Sequence, residues 1–342
     1  MYILGINISH HPSVALLKDG EIVYYLEDDR WNRRKEEEWS VPIMYVGAPA
    51  SRFQSLEDIK SYTDHVDHII FASDVNFYAD KQLVGGILSK LDEINLSFDK
   101  LHYYHEHHLY HACSAFYATD FDEAAALVMD GGGADLMGHK ECESMYYFKD
   151  NEYEVIKKVY GCKCDLDHEH RYTINNDEKI ILTPNGSCGQ VYGRVTHRIN
   201  FGDQPGKTMG LASFGELDDD SEWFPNGYQD AQAVENSMEN RTSDKNLAKK
   251  AQEETKKHTI NLIGELLEKT GAKNLVLSGG YFLNCTNNFE YVKVFPQINF
   301  YVDPMAHDGG TSIGATKYIW HHVLNKTQRH SLQSLYLGPN LN

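Results

Sequence analysis

Apolar and polar residues fall into blocks that repeatedly read as strand, glycine turn and helix. Residues 2–8 form an apolar run, 13–18 a second and 21–26 a third, and the Asp19-Gly20 pair predicts a tight hairpin between the last two. A strand is expected at 68–72, then a helix carrying His107 to Phe116, then a strand through Ala126–Met129 that runs to Asp130. Segments 144–149 and 153–160 predict a hairpin about Asp150-Asn151, and the polar stretch 161–180 reads as an insertion.

The second half predicts a helix over 187–200, a glycine turn at 206–210 and an acidic loop from 216 to about 240. A long helix follows over 244–270, with Leu247, Ala251, Ile260, Ile263, Leu266 and Leu267 as its buried face. Strands at 274–277 and 299–302 enter Ser278-Gly279-Gly280 and Asp303-Pro304, and Gly309-Gly310 opens a last helix over 311–323. Strands that end in glycine turns and feed helices, twice over, predict two α/β halves with a cleft between them. No internal sequence repeat supports a duplication.

Composition narrows the function classes. With 342 residues the chain can bury a full core, and 32 basic against 50 acidic residues give a net charge of −18. That field repels polyanions, which excludes non-specific nucleic-acid or membrane-surface binding. Six cysteines do not make a disulfide framework, and no apolar run approaches the roughly 20 residues that span a bilayer. A reduced, cytoplasmic protein is expected.

The chemistry concentrates in His107-His108-Leu109-Tyr110-His111. On a helix, His107 and His111 project from one face a turn apart, a spacing that suits two nitrogen ligands on one metal ion. The zinc-protease pattern needs Glu after the first His, and His108 stands there instead. Asp130, at a strand end before Gly131-Gly132-Gly133, is well placed to complete a metal site or face a phosphate. Taken alone, Asp130 is a strand-end turn residue, Asp308 a helix N-cap and the Arg30–Lys35 run a solvated face. Cys162, Cys164, His168 and His170 offer ligands for a second metal, at spacings tighter than zinc-finger patterns; an exposed polar loop is the reading preferred.

Several stretches together resemble the O-carbamoyltransferases of the nodulation and antibiotic-tailoring type. They are Ile3–Glu27 with Asp28-Asp29-Arg30, His107–Phe116, Phe121–Gly133, Gly206–Gly215, Asn274–Asn284 and Asp308–Ala315. The resemblance implies an actin-like ATPase (ribonuclease H-like) α/β fold around a nucleotide cleft. Its parts would be 1–140 with the metal histidines, 141–186 as hairpin and polar insertion, and 187–330 as the second part. A tail at 331–342 would stand where the family's adenylate-forming domain begins.

In the family, carbamoyl phosphate and ATP give carbamoyl adenylate, and the actin-like module passes the carbamoyl group to an acceptor hydroxyl with a bound metal. Carried over by position, His107, His111, Asp130 and Asp308 would hold a divalent metal, Fe(II) being favoured over Mn or Zn. The glycine turns of Gly131, Gly132 and Gly133, of Lys207 and Gly210, and of Gly279 and Gly280 would approach the nucleotide, with Asn284 near the adenosine. His11 would take the acceptor's proton, and Arg30 and Lys35 would hold phosphate or carbamoyl oxygens. Pro12 stands where many members carry Asp.

The acceptor would be a hydroxyl on a small molecule, sugar or modified nucleoside, with nucleic acid entering only as a hydroxymethylated-base acceptor. A separate adenylate-forming subunit is an expected partner. A sugar kinase of this fold class needs an acidic residue in the first hairpin, where Asn7 stands. A tRNA threonylcarbamoyl transferase shares the His-x3-His pair, but the net charge weighs against tRNA. The remaining alternative is a non-catalytic nucleotide-binding subunit.

Overall fold

Asp19 and Gly20 both adopt left-handed backbone, with φ of 50° and 94°, and so close the two-residue turn between β2 (Ser13–Lys18) and β3 (Glu21–Glu27). The same device closes the hairpin between β8 (His139–Lys149) and β9 (Glu152–Gly161), at Asp150 and Asn151 with φ of 50° and 64°. The computed structural model describes residues 1–9, 11–32, 54–74, 77–136, 138–161, 172–174, 177–183 and 186–339. Lys35 and the Cys162, Cys164, His168 and His170 group lie outside the described residues.

The chain forms two units that interleave in sequence. One comprises Met1–Asp122, Lys149–Glu152 and the chain from Asp303 on; the other comprises Glu123–Phe148 and Tyr153–Val302. The expected tail and last helix thus belong with the N-terminal segment, a closure between positions 300 residues apart that no local pattern encodes.

In the first unit a sheet is ordered β3-β2-β1-β4-β5, with β1 (Tyr2–Asn7) between the hairpin and parallel strands β4 (His65–Ala72) and β5 (Ser97–Tyr103). Leu4, Ile6, Val14, Leu16, Ile69 and Phe71 pack on one face against Leu56 and Ile59 of α2 (Gln54–Ile59) and Leu83, Val84, Ile87 and Leu91 of α3 (Phe77–Glu93). Ile3, Ala15, Leu17 and Ile70 pack on the other face with Tyr110 of α4 (His107–Tyr117) and Ile313 and Ala315 of α10 (Thr311–Tyr318). Burial on both faces explains the near-continuous apolar runs of β1 and β2. Helix α10 is seated by two glycines: a Cβ on Gly5 would lie 2.2 Å from the Ser312 carbonyl oxygen, and one on Gly314 only 1.7 Å from that of Tyr110. The short α1 (Asp29–Asn32) follows β3.

The second unit holds a sheet whose strands are ordered β10 (Tyr172–Ile174), β11 (Asp177–Thr183), β9, β8, β6 (Glu123–Met129), β12 (Asn274–Ser278) and β13 (Asn299–Val302), with the short β7 (Asp135–Leu136) on β8. Its strand β6 (Glu123–Met129) runs parallel to β12 (Asn274–Ser278), and β12 parallel to β13 (Asn299–Val302). Helix α8 (Asp244–Thr270) has the bounds read from sequence, because Ser243 caps it by accepting from the Asn246 N–H and Gly271 ends it at φ 65°. Ile260 and Leu267 are only half-buried on it.

Four sequence expectations are corrected here. Residues 205–212 are helical (α6, Pro205–Ala212), not a glycine turn: Pro205 starts the helix, and Thr208 and Ala212 are buried on one side. The acidic loop contains α7 (Ala231–Glu239), capped by Asp230, with Val234 and Met238 turned inward at helical spacing. Within the expected insertion, β10 (Tyr172–Ile174) and β11 (Asp177–Thr183) extend the sheet, β11 running parallel to β9. The last helix ends at Tyr318 and continues as a π turn over Ile319–Val323. Helices α3 and α9 (Cys285–Val294) and strand β5 carried no recognised signal; β5 is mostly exposed, so it lacks the apolar pattern of a core strand.

Candidate metal centre

Helix α4 begins at His107, so His107 and His111 stand one turn apart on its first two turns, both fully buried. Their Nε2 atoms are 3.2 Å apart and their rings meet edge to face, with centroids at 4.9 Å. Asp308 arrives from the 3-10 turn Asp308–Gly310 that leads into α10, and its Oδ1 is 3.6 Å from each Nε2. Close packing of α4 against α10, made possible by Gly314, brings helix and turn to this spacing.

The other carboxylate oxygen, Oδ2, accepts from Ser9 Oγ at 2.8 Å. Asn7 Oδ1 also lies 2.7 Å from that hydroxyl but already receives the Ser9 N–H at 3.1 Å, so the single hydroxyl proton is best used by the charged acceptor. Asn7 in turn donates from Nδ2 to the His11 carbonyl. Burial works to raise the Asp308 carboxyl, but the adjoining His107 and His111 outweigh it and hold the group well below the usual carboxylate range.

A second layer sits beside this cluster. His307 Nδ1 accepts the Gly309 N–H at 3.1 Å, which leaves Nε2 as the protonated nitrogen facing Glu27 Oε1 at 3.3 Å. Glu27 also accepts from Tyr25 OH at 3.1 Å and Arg30 Nη2 at 2.8 Å. Burial favours a raised Glu27 carboxyl, yet His307 and Arg30 bring it down to about 2; burial would lower His307, yet Glu27 raises it. His11, at φ 54°, places its ring 4.7 Å from that of His307. Ser9, Glu27 and His307 carried no role in the sequence reading. An Asn-x-Ser at a strand end and a His preceding the aspartate were the visible, unspecific signals.

Because Glu27 and Asp308 are both held low in the folded chain, the unfolded chain binds more protons on acidification. The stability they contribute is complete above about pH 4.5 and is lost as pH falls toward about 2. Denaturant midpoints measured at pH 5 and pH 3 should show the drop, and Glu27→Gln should make it shallower.

In the second unit, Asp130 follows β6 and accepts on Oδ1 from the Gly131 N–H at 2.7 Å and the Gly280 N–H at 3.3 Å. Gly279, at φ 97°, passes so near β6 that a Cβ would lie 2.2 Å from the Met129 carbonyl oxygen. Gly131 is exposed, while Gly133 is buried and donates to the Glu141 carbonyl. Lys207 and Gly210 are exposed on α6, with Lys207 Nζ 5.9 Å from the Phe201 ring centre. The Asn284 side chain is buried and engaged at both ends by Gln252, at 2.9 Å each way, while capping α9 through the Asn287 N–H. The structure thus gathers His107, His111 and Asp308 in one unit, and Asp130, Gly131, Gly279 and Gly280 in the other.

The family model described as the carbamoyltransferase N-terminus matches residues 57–254 and 226–317, which together cover most of the chain. The chain belongs to the carbamoyltransferase N-terminus family. An uncharacterised protein of Synechocystis is 26% identical over 99% of this chain and 60% of its own length. Nodulation protein NolNO of Sinorhizobium fredii is 24% identical over 97% of this chain and 49% of its own length. The chain therefore spans about half to three fifths of these relatives. Among solved structures, HypF from T. kodakarensis superposes with a TM-score of 0.60 at 15% identity, over 93% of this chain and 47% of that one. A full-length HypF in a phosphate- and nucleotide-bound form gives 0.57 at 14% identity, over 93% and 55%. The chain shares with these structures the actin-like ATPase fold class. No helix among the described residues is long and apolar enough to cross a membrane.

Proposed function

We propose that this chain is the transfer module of an O-carbamoyltransferase. It would pass a carbamoyl group from carbamoyl adenylate, formed from carbamoyl phosphate and ATP by a separate domain or partner, to a hydroxyl of a small molecule, sugar or modified nucleoside. The observation that carries this reading is the buried convergence of two imidazole nitrogens and a carboxylate oxygen at 3.2 to 3.6 Å, in a member of this family.

The donor set fits a divalent metal: bonds of about 2.1 Å in a tetrahedral arrangement place donor atoms about 3.4 Å apart. His107, His111 and Asp308 would hold the ion, with Fe(II) favoured over Mn or Zn, and the family resemblance adds Asp130 as a further ligand. When bound, the metal would supply Lewis acidity and a template for the donor's oxygens. Ser9 keeps the Asp308 carboxylate oriented through Oδ2. The pair Glu27–His307 fixes the ring against which His11 stands, and His11 would accept the proton of the attacking hydroxyl. Arg30 and Lys35 would hold phosphate or carbamoyl oxygens of the donor by charge-assisted hydrogen bonds.

Supplying synthetic carbamoyl adenylate with a panel of sugars and hydroxymethylated nucleosides tests the reading by mass spectrometry of the acceptor. A carbamoylated acceptor formed faster than in buffer supports it; no acceleration of transfer or of donor breakdown overturns it. Ser9→Ala should weaken metal affinity by about 10- to 100-fold while leaving the fold intact, read by competition with a chelator.

A further inference from the structure

Away from the histidine–aspartate cluster, the second unit buries three metal-capable side chains from three different elements. Glu143 lies on β8, Cys188 opens α5 (Cys188–Arg198) and His258 lies midway along α8; they are 7%, 0% and 2% exposed. One donor atom from each lies within 4.8 Å of the other two. His258 Nε2 is 2.9 Å from Glu143 Oε1, and its ring is stacked on Phe224 with centroids at 4.4 Å, which holds the imidazole in one orientation.

We propose that Glu143, Cys188 and His258 form a second metal site, structural in role and selective for zinc. One thiolate, one imidazole and one carboxylate is a mixed soft and borderline set. The sulfur disfavours magnesium and calcium, and tetrahedral zinc accepts all three donor types. Burial closes the site to substrate, which fits a structural ion, and a water would take the fourth tetrahedral position that three protein donors leave open.

The position gives the ion a purpose. The Asp130 N–H donates to the Cys142 carbonyl at 3.4 Å, and its carbonyl accepts from Ser187 Oγ at 2.7 Å. Glu143 and Cys188 are the next residues along from these two anchors. Tying Glu143 to Cys188 through one ion locks β8 and the start of α5 together where both grip Asp130. Gly189 allows the approach, since a Cβ there would lie 2.6 Å from the Asp130 carbonyl oxygen. The ion would thereby hold the Asp130–Gly133 turn, and the transfer reaction itself does not enter the argument.

The test is X-ray absorption on the full chain loaded with zinc, with Cys162→Ser/Cys164→Ser as the parent so that those thiols cannot contribute. A metal–sulfur shell near about 2.3 Å is expected. The His107, His111 and Asp308 cluster has no sulfur and cannot produce it. The shell should persist in His111→Ala and in Cys142→Ser, and vanish in Cys188→Ser with the loss of one zinc per chain. Cobalt substitution should show a thiolate charge-transfer band in the parent, a reading that needs no further variant to fold. A parent with only nitrogen and oxygen scatterers and no such band overturns the proposal, leaving Glu143 and His258 as a buried hydrogen-bonded pair. Persistence of the shell in Cys188→Ser also overturns it. Failure of carbamoyl transfer would leave either result unchanged.

Discussion

His111→Ala is expected to abolish metal retention at the α4 cluster and to cut carbamoyl transfer by more than about 100-fold, the upper end of what losing a mere ligand-orienting contact costs. The magnitude follows from geometry. His111 supplies one of three donors that meet within 3.6 Å, and its removal leaves His107 as the only imidazole on Asp308 Oδ1 among the described residues. Alanine favours helix, so α4 itself should form, although the vacated volume in a fully buried position will cost about 2–4 kcal/mol. Elemental analysis of protein purified without oxygen, alongside turnover with carbamoyl adenylate, reads both effects. Metal content equal in wild type and variant, with transfer undiminished, would remove this cluster from the mechanism.

Gly314→Ala should destabilise the protein by about 3 kcal/mol or more and lower Tm by about 4 °C or more. Helix propensity alone predicts the opposite sign, a gain of about 1 kcal/mol for replacing glycine within a helix. The difference is the 1.7 Å separation between the added Cβ and the Tyr110 carbonyl oxygen, a backbone atom that no rotamer change can move aside. Helices α4 and α10 must separate, and His111, next to Tyr110, is then drawn away from Asp308 at the entrance to α10. Metal affinity should therefore fall together with Tm. Gly264→Ala, on α8 where a Cβ meets nothing within 4 Å, is the control and should raise stability instead. If both substitutions raise Tm, the close α4–α10 contact is not what holds the site.

Sequence alone determined what depends on neighbours along the chain. The β2–β3 and β8–β9 hairpins follow from Asp-Gly and Asp-Asn pairs that accept left-handed backbone, and α8 follows from its Ser243 cap, its apolar stripe and Gly271. The His107/His111 pair was legible because helix geometry fixes the relation of residues four apart. Recognition of the family rested on the same kind of short motif, and the family model bears it out.

Tertiary packing decided the rest. Residues 206–210 hold two glycines and read as a turn, yet burial of Thr208 and Ala212 makes 205–212 a helix. Ser9, Glu27 and His307 are commonplace residues until chain closure over some 300 positions brings the first β-strands against the Asp308 turn. Glu143, Cys188 and His258 belong to no motif and meet only because β8, α5 and α8 pack together. Local backbone preferences are written in adjacent residues, whereas a site assembled from distant segments depends on burial, which rewards only the folded arrangement.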